Sequence, residues 1–274
     1  MIILVTGASS GIGYSSAIAL ARKGHKVYGA ARRLDRMEPL REYGIVPISL
    51  DVTSDESMQA CVSHILSVEG RLDVLVNNAG FGYFGAIENV AMEEARRQME
   101  VNVFGLARLT QLVLPSMRTQ GFGRIVNVSS VAGRVVLPFG GWYHVSKYSV
   151  EAFSDALRLE VKPFGIDVAL IEPGGIGTDW GLIAADHLEE SCQGTPYAPL
   201  AGKEARFMRF VYSGHWLAKP DRVSRAICRA VTARHPRHRY KPGTGAHFLL
   251  FLHAVLPSRW WDGLMRAVLR IPVR

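Results

Sequence analysis

Two side chains four residues apart, Tyr143 and Lys147 in the run Trp142 to Tyr148 (WYHVSKY), are the sharpest chemical feature of this sequence. Four residues is one helical turn, so on a helix a phenol and an ammonium leave the same face and can act on one ligand. A cation beside a phenol favours phenolate. It draws the tyrosine from its free pKa of about 10 toward the range where it exchanges a proton with an alcohol or a ketone. Alone, Tyr-x-x-x-Lys is a common accident of helical composition, so its weight comes from its surroundings.

The chain opens with an apolar run, Met1 to Val5, that breaks into Gly7-x-x-x-Gly11-x-Gly13 and then into a helical pattern through Ala17, Leu20 and Ala21. This is the sequence form of a strand, a tight turn and a helix whose first amides face a phosphate. The spacing differs from G-x-G-x-x-G. Gly7 would permit the turn, Gly11 the close approach of a pyrophosphate and Gly13 the packing of helix on strand, with Ser9, Ser10 and Ile12 between them. A plain glycine turn is the competing reading.

Short apolar runs rich in β-branched residues at 2–5, 26–30, 46–50, 72–76, 124–128 and 167–171 alternate with longer amphipathic stretches. That alternation predicts an α/β fold: one doubly wound parallel sheet with helices on both faces. Thr53-x-x-Glu56 has the form of a capping box that would start a helix. No linker, repeat or low-complexity tract divides the 274 residues, and 48% hydrophobic content supports one core, so residues 1–274 read as a single domain. On such a sheet, ligands sit beyond the carboxyl ends of the strands. Gly7, Asp51, Asn77 and Ser130 all fall there. Topology would therefore bring the glycine loop and the tyrosine helix to one cleft.

Thr6-Gly7-x-x-x-Gly11-Ile12-Gly13, Asp51-Val52, Asn77-Asn78-Ala79-Gly80, Asn102, Ser130, Tyr143-x-x-x-Lys147 and Pro173-Gly174-x-x-x-Thr178 share an order and an approximate spacing with one known family. From Ile2 to about Thr178 the chain resembles the short-chain dehydrogenases/reductases, and from Phe81 to Phe164 it is most similar to their hydroxysteroid and retinol dehydrogenase type. The resemblance implies a Rossmann-type fold, hydride transfer with a nicotinamide dinucleotide and a homo-oligomer. It makes Tyr143 the acid and base. Lys147 would bind the nicotinamide ribose, Ser130 would hold the substrate oxygen, and Asn102 would position a water linking Lys147 to solvent. Asp51 and Val52 would flank the adenine, the backbone of Asn78, Ala79 and Gly80 would approach the adenosine, and Ile176 and Thr178, after Pro173 and Gly174, would meet the carboxamide. Ser130 as the cap of a turn, and Asn77 as a tie between strands, stay open.

At the end of the second apolar run, Ala31 stands where the resemblance would put the acid that holds the ribose 2′-hydroxyl of NAD, and Arg32 and Arg33 follow, so NADP(H) is the expected cofactor, with a merely solvated strand end as the competing reading of the arginines. The segment from about 179 to 220 reads as a substrate loop or lid. Its Trp180, Leu182, Ile183, Tyr197, Phe207, Met208 and Phe210 favour a lipophilic alcohol or ketone, with Phe81, Tyr83 and Phe84 as the opposite wall.

Cys61, Cys192 and Cys228 form no CxxC pair, the nine histidines show no metal-ligand spacing, and Met1 leads straight into the first strand. These features point to a reduced, cytoplasmic protein without a metal site. His144 would point off the catalytic face. The net charge of +8 is concentrated from His215 to the end of the chain, where twelve Lys or Arg face two Asp. No groove-reading motif accompanies it, so nucleic acid is not an expected partner.

Residues 244–274 read as a C-terminal extension. Residues 246–256 are apolar but too short to span a bilayer. Beyond Pro257, apolar pairs at 260/261, 264/265 and 268/269 oppose Arg259, Asp262, Arg266 and Arg270. Covering its own domain is the expected role of this helix; a partner subunit or peripheral contact with a membrane are the alternatives. A catalytically silent dinucleotide sensor, or a membrane-docking module on the same fold, is the alternative to an enzyme.

Overall fold

The computed structural model describes residues 1–214 and 216–269. Seven strands form one parallel sheet: β1 (Ile2–Thr6), β2 (Lys26–Ala31), β3 (Val46–Ser49), β4 (Val74–Asn77), β5 (Gly123–Val128), β6 (Ile166–Ile171) and β7 (Arg239–Tyr240), in the order β3-β2-β1-β4-β5-β6-β7. The order reverses between β1 and β4, and the crevice that this reversal opens beyond the strand ends is where ligands bind on such sheets. The helices are α1 (Gly11–Ala21), α2 (Asp55–Glu69), α3 (Met92–Met99), α4 (Gly105–Gln120), α5 (Gly141–Val161), α6 (Trp180–Cys192), α7 (Ala198–Ser213), α8 (Pro220–Thr232), α9 (Ala246–Val255) and α10 (Ser258–Leu269).

Period-two alternation sends Ile3, Val5 and Val76 to one face of the sheet, against Leu20 of α1 and Val223 and Ile227 of α8. Leu4, Leu75 and Ile125 go to the other, against Ile65 of α2, Leu109 and Val113 of α4 and Leu157 of α5. With both faces covered, the central strands are buried along almost their whole length and mostly apolar rather than alternating, which is why they stand out in the sequence. The sheet and its helices are those of a Rossmann-like α/β fold.

Three sequence expectations are corrected by the structure, and one element is added. The cap of α2 is Ser54, which accepts from the Ser57 amide at 3.1 Å and donates to Glu56 at 2.8 Å, because the Thr53 hydroxyl is already committed to Asp51 at 2.8 Å. The segment after β6 is a helical hairpin, α6 and α7, rather than a loop. The two-residue β7 was not foreseen. Finally, the apolar pairs of α10 divide: Trp261 is buried against Val135 and Leu250, while Trp260 and Val268 are exposed. α9 likewise turns Leu250 inward and leaves Phe248 and Phe251 in solvent. Arg270 and the rest of 270–274 lie outside the described residues. Among the described residues no helix is long and apolar enough to cross a membrane.

Candidate active site

The carboxyl ends of the strands enclose a cleft of about 1430 Å³. Its floor is the turn between β1 and α1. Gly7 and Gly11 both have positive φ, at 67° and 55°, a region that strains residues with a Cβ and that glycine adopts freely. A Cβ on Gly13 would collide with the Gly7 carbonyl, so Gly13 lets α1 sit down on the loop and, unlike Gly7, Ser9, Ser10, Gly11 and Ile12, does not line the cleft.

One residue quoted in the sequence motif, but given no role there, holds this floor together. The Thr6 hydroxyl donates to the Val76 carbonyl at 3.3 Å and accepts from the amides of Asn78 and Ala79, both at 3.0 Å. The Asn78 side chain returns the tie by donating to Thr6 O at 2.9 Å. Asn77, one residue earlier, is buried and donates to Asn127 and Thr110, which makes it a strand tie.

Arg32 and Arg33 are exposed at the end of β2 and line the cleft, and so does Arg36 one turn later, which the sequence alone did not single out. Among the described residues none of the three makes an ion pair with a carboxylate within 4 Å. Asp51 and Val52 line the same end. Burial works against the Asp51 charge, but the Thr53 amide and hydroxyl and the nearby Arg32 outweigh it and hold the carboxyl below its ordinary range.

Ser130, Tyr143 and Lys147 meet at the middle of the cleft. Ser130 follows β5 and caps the short turn Val131–Gly133, accepting from the Ala132 amide at 3.1 Å, and its hydroxyl is near enough to the Tyr143 phenol to favour the phenolate. Lys147 lies one turn along α5, with its Nζ 5.8 Å from the Tyr143 ring centre and donating to the Val128 carbonyl at 3.0 Å.

The electrostatics differ from the expectation. Tyr143 is packed among Phe84, Trp180 and His144, and burial pushes its phenol up, beyond what the Ser130 hydroxyl offsets. Burial also lowers Lys147, to about 8, against the opposing pull of Glu151 one turn further on α5. Desolvation of the charged forms thus dominates over the attraction between the pair.

Asn102 sits behind this trio, outside the cleft lining, in a π-helical turn, Glu100–Phe104, that joins α3 to α4. Its side chain is fully engaged: Oδ1 accepts from the Phe81 amide at 3.0 Å, and Nδ2 donates to Phe81 O at 2.8 Å and Ser146 Oγ at 3.0 Å. A π turn leaves a main-chain carbonyl without its helical partner, which is a usual way for a helix to present one at a site. His144 turns away from the phenol's chemistry: its ring nitrogens bond Ala132 O at 2.9 Å and the Leu137 amide at 3.0 Å.

Pro173, Gly174, Ile176 and Thr178 form the rim beyond β6. The other end of the cleft is walled by Phe81 and Phe84, and by Trp180 and Ile183 of α6 and Phe207 and Met208 of α7. Tyr83, Leu182, Tyr197 and Phe210 are corrections, since none lines the cleft. Tyr83 stacks on His187 with ring centres 4.9 Å apart, Tyr197 donates to Glu88 at 2.6 Å, and Phe210 packs on Trp216 in solvent.

Residues 1–184 match the family described as short chain dehydrogenase. A probable short-chain type dehydrogenase/reductase, VdlC, of Helicobacter pylori is 37% identical over 265 residues, 97% of this chain and 96% of that one. This chain belongs to the short-chain dehydrogenase/reductase family. Another relative, the 3-ketodihydrosphingosine reductase of Bacteroides thetaiotaomicron, is 37% identical over 98% of this chain and 97% of its own. Among solved structures, a short-chain dehydrogenase from Streptomyces avermitilis is 32% identical, superposes with a TM-score of 0.81 and matches 99% of this chain and 98% of that one. An alcohol dehydrogenase from Thermococcus sibiricus, solved in complex with 5-hydroxy-NADP, is 27% identical with a TM-score of 0.70 over 88% and 94%. As a short-chain dehydrogenase/reductase, the protein is an oxidoreductase that acts on CH-OH donors with NAD(P) as acceptor.

Behind α5 of this dehydrogenase/reductase lies a charge cluster with no sequence signal. Arg239 of β7 reaches Glu151 at 3.1 Å and Asp155 at 2.6 Å, both on α5, and Glu172 at the end of β6 at 2.8 Å. Glu151 and Glu172 are buried. Burial, with the Glu172 charge beside it, pushes the Glu151 carboxyl up despite the Ser129 hydroxyl and Arg239. One guanidinium thereby fixes α5 against the strand that leads to the Pro173 rim.

Proposed function

We propose that the protein is an NADP(H)-dependent oxidoreductase for a secondary alcohol or ketone on a lipophilic small molecule. The observation that carries this reading is a single cleft with three arginines at one end, Ser130 beside the buried Tyr143 and Lys147 in the middle and largely apolar walls at the other. The glycine loop fits a dinucleotide, since Gly7 and Gly11 hold the turn open at positive φ and Gly13 brings the first amides of α1 to the floor. Ala31 presents no carboxylate to a 2′-phosphate, and Arg32, Arg33 and Arg36, without ion pairs among the described residues, are free to receive one. Asp51 and Val52 would flank the adenine, Asn78, Ala79 and Gly80 the adenosine, and Ile176 and Thr178 the carboxamide.

The dinucleotide, when bound, supplies or takes the hydride. The chain's own residues manage the proton. Ser130 donates to the substrate oxygen and orients it toward Tyr143. A phenol kept protonated by burial is a proton donor, which suits reduction of a ketone; in the reverse direction the phenolate, formed after the phenol has passed its proton to a neutral Lys147, takes the proton of the alcohol. Lys147 restores the proton after each turnover. Trp180 and Phe84, packed on the phenol, keep bulk water from competing.

Oxidation of NADPH, followed at 340 nm with a panel of lipophilic ketones, tests this reading. Arg32→Ala should weaken NADPH binding by about ten- to a hundredfold, the value of a charge-assisted hydrogen bond, and leave NADH nearly unaffected. Equal losses for both cofactors would show that Arg32 supports the strand end instead of reading the phosphate.

A further inference from the structure

The walls of the substrate end come from two helical stripes. α6 presents Trp180, Ile183 and His187, and α7 presents Glu204, Phe207, Met208, Val211 and Tyr212, at spacings of three and four residues. An acid in such a stripe is out of place. Glu204 lines the cleft, is half-buried and has no hydrogen-bond or ion-pair partner among the described residues, and burial holds its carboxyl above its ordinary range. The basic residues of α7 do not serve it: Arg209 is taken by Asp186 and Glu189, both at 2.7 Å.

Those ion pairs also fix the hairpin's register. With Arg209 beside Asp186 and Glu189, and the Tyr212 ring lying where a Cβ on Gly181 would be, the helices run antiparallel and bring Glu204 to within about a turn of His187. Tyr212 marks the reacting end, its ring 6.2 Å from that of Trp180, which is 5.1 Å from Tyr143. Glu204 is eight residues up the helix from Tyr212, a rise of about 12 Å.

We propose that Glu204 is a specificity residue, which accepts a hydrogen bond from a hydroxyl or ammonium at the far end of an elongated, otherwise apolar ketone. This rests on the ketone reductase reading and narrows its substrate class: a lipophilic chain or ring system carrying a donor group on the order of 10 Å from the carbonyl. An unpaired carboxylate in an apolar wall penalises a ligand that leaves it bare and rewards one that pairs it.

The test is a series of methyl ketones of matched length that differ only at the far end: methyl, hydroxyl, ammonium or carboxylate. In the native enzyme with NADPH, kcat/KM for the ammonium ketone should exceed that for the methyl ketone by about ten- to a hundredfold, with the carboxylate poorest. Glu204→Gln and Glu204→Leu should each collapse that ratio. A ratio near one in the native enzyme, or one unmoved by either substitution while all four substrates decline together, overturns the proposal and leaves Glu204 a structural residue. Calorimetric binding of an unreactive alkylammonium ion and the matching alkane alcohol to native protein and Glu204→Leu needs no turnover. If no ketone is reduced, so that the reductase reading itself fails, binding weakened at least tenfold by Glu204→Leu still supports the carboxylate's role, and equal binding overturns it.

Discussion

Replacing Tyr143 with phenylalanine should lower kcat for ketone reduction by about 10²- to 10⁴-fold, the range assigned to general acid–base catalysis, with little change in the dissociation constant of NADPH. The substitution keeps the ring that Phe84 and Trp180 pack against and removes only the hydroxyl that Ser130 reaches. The separation of kcat from cofactor affinity is the informative part, because damage to the fold would move both. Stopped-flow single turnovers with equilibrium titration of NADPH measure the two independently. A Phe variant with most of its native kcat would remove Tyr143 from the proton path.

Lys147 should give the second largest effect and a defined pH dependence. Burial lowers its pKa to about 8, so it carries its proton below that pH and loses it above. Reduction consumes a proton through the phenol, so kcat/KM for the ketone should be level near neutrality and fall as pH rises through about 8. Oxidation of the alcohol should not share that fall. Lys147→Met should abolish the alkaline limb and lower the plateau by on the order of a hundredfold or more. A native reduction profile that stays flat to well above that pH would detach Lys147 from proton delivery.

The six longer strands were legible because a sheet covered on both faces demands short, mostly apolar runs rich in β-branched residues, as in residues 2–5 or 72–76. β7 was not, because two residues in the charged stretch around Arg239 have no pattern to read. The α6–α7 hairpin was mistaken for a loop because Gly181, Pro199 and Gly202 interrupt it, although the three- and four-residue spacing from Glu204 to Tyr212 was there to be counted. The site divides the same way. Glycines, Ser130, Tyr143 and Lys147 are chemically distinctive at fixed spacing, and they converge in one cleft. Thr6 and Glu204 gain their roles only from what the fold places beside them, seventy or more residues away for Thr6 and Asn78, and no local pattern announces that.

The ion pairs of Arg239 bear on how the protein is made. No candidate catalytic or cofactor-binding residue lies beyond Thr178, so the ribosome has added all of them before it adds Arg239. Until that residue emerges, Glu172 has only its 3.6 Å contact with Arg134, and Glu151 has no ion pair among the described residues, so burying the two carboxylates side by side at the α5 and β6 interface costs more than it does in the finished chain. The packing of the helix that carries Tyr143 and Lys147 onto β6 is therefore weaker while the preceding part of the chain is being made. The cleft is completed by a residue that does not line it.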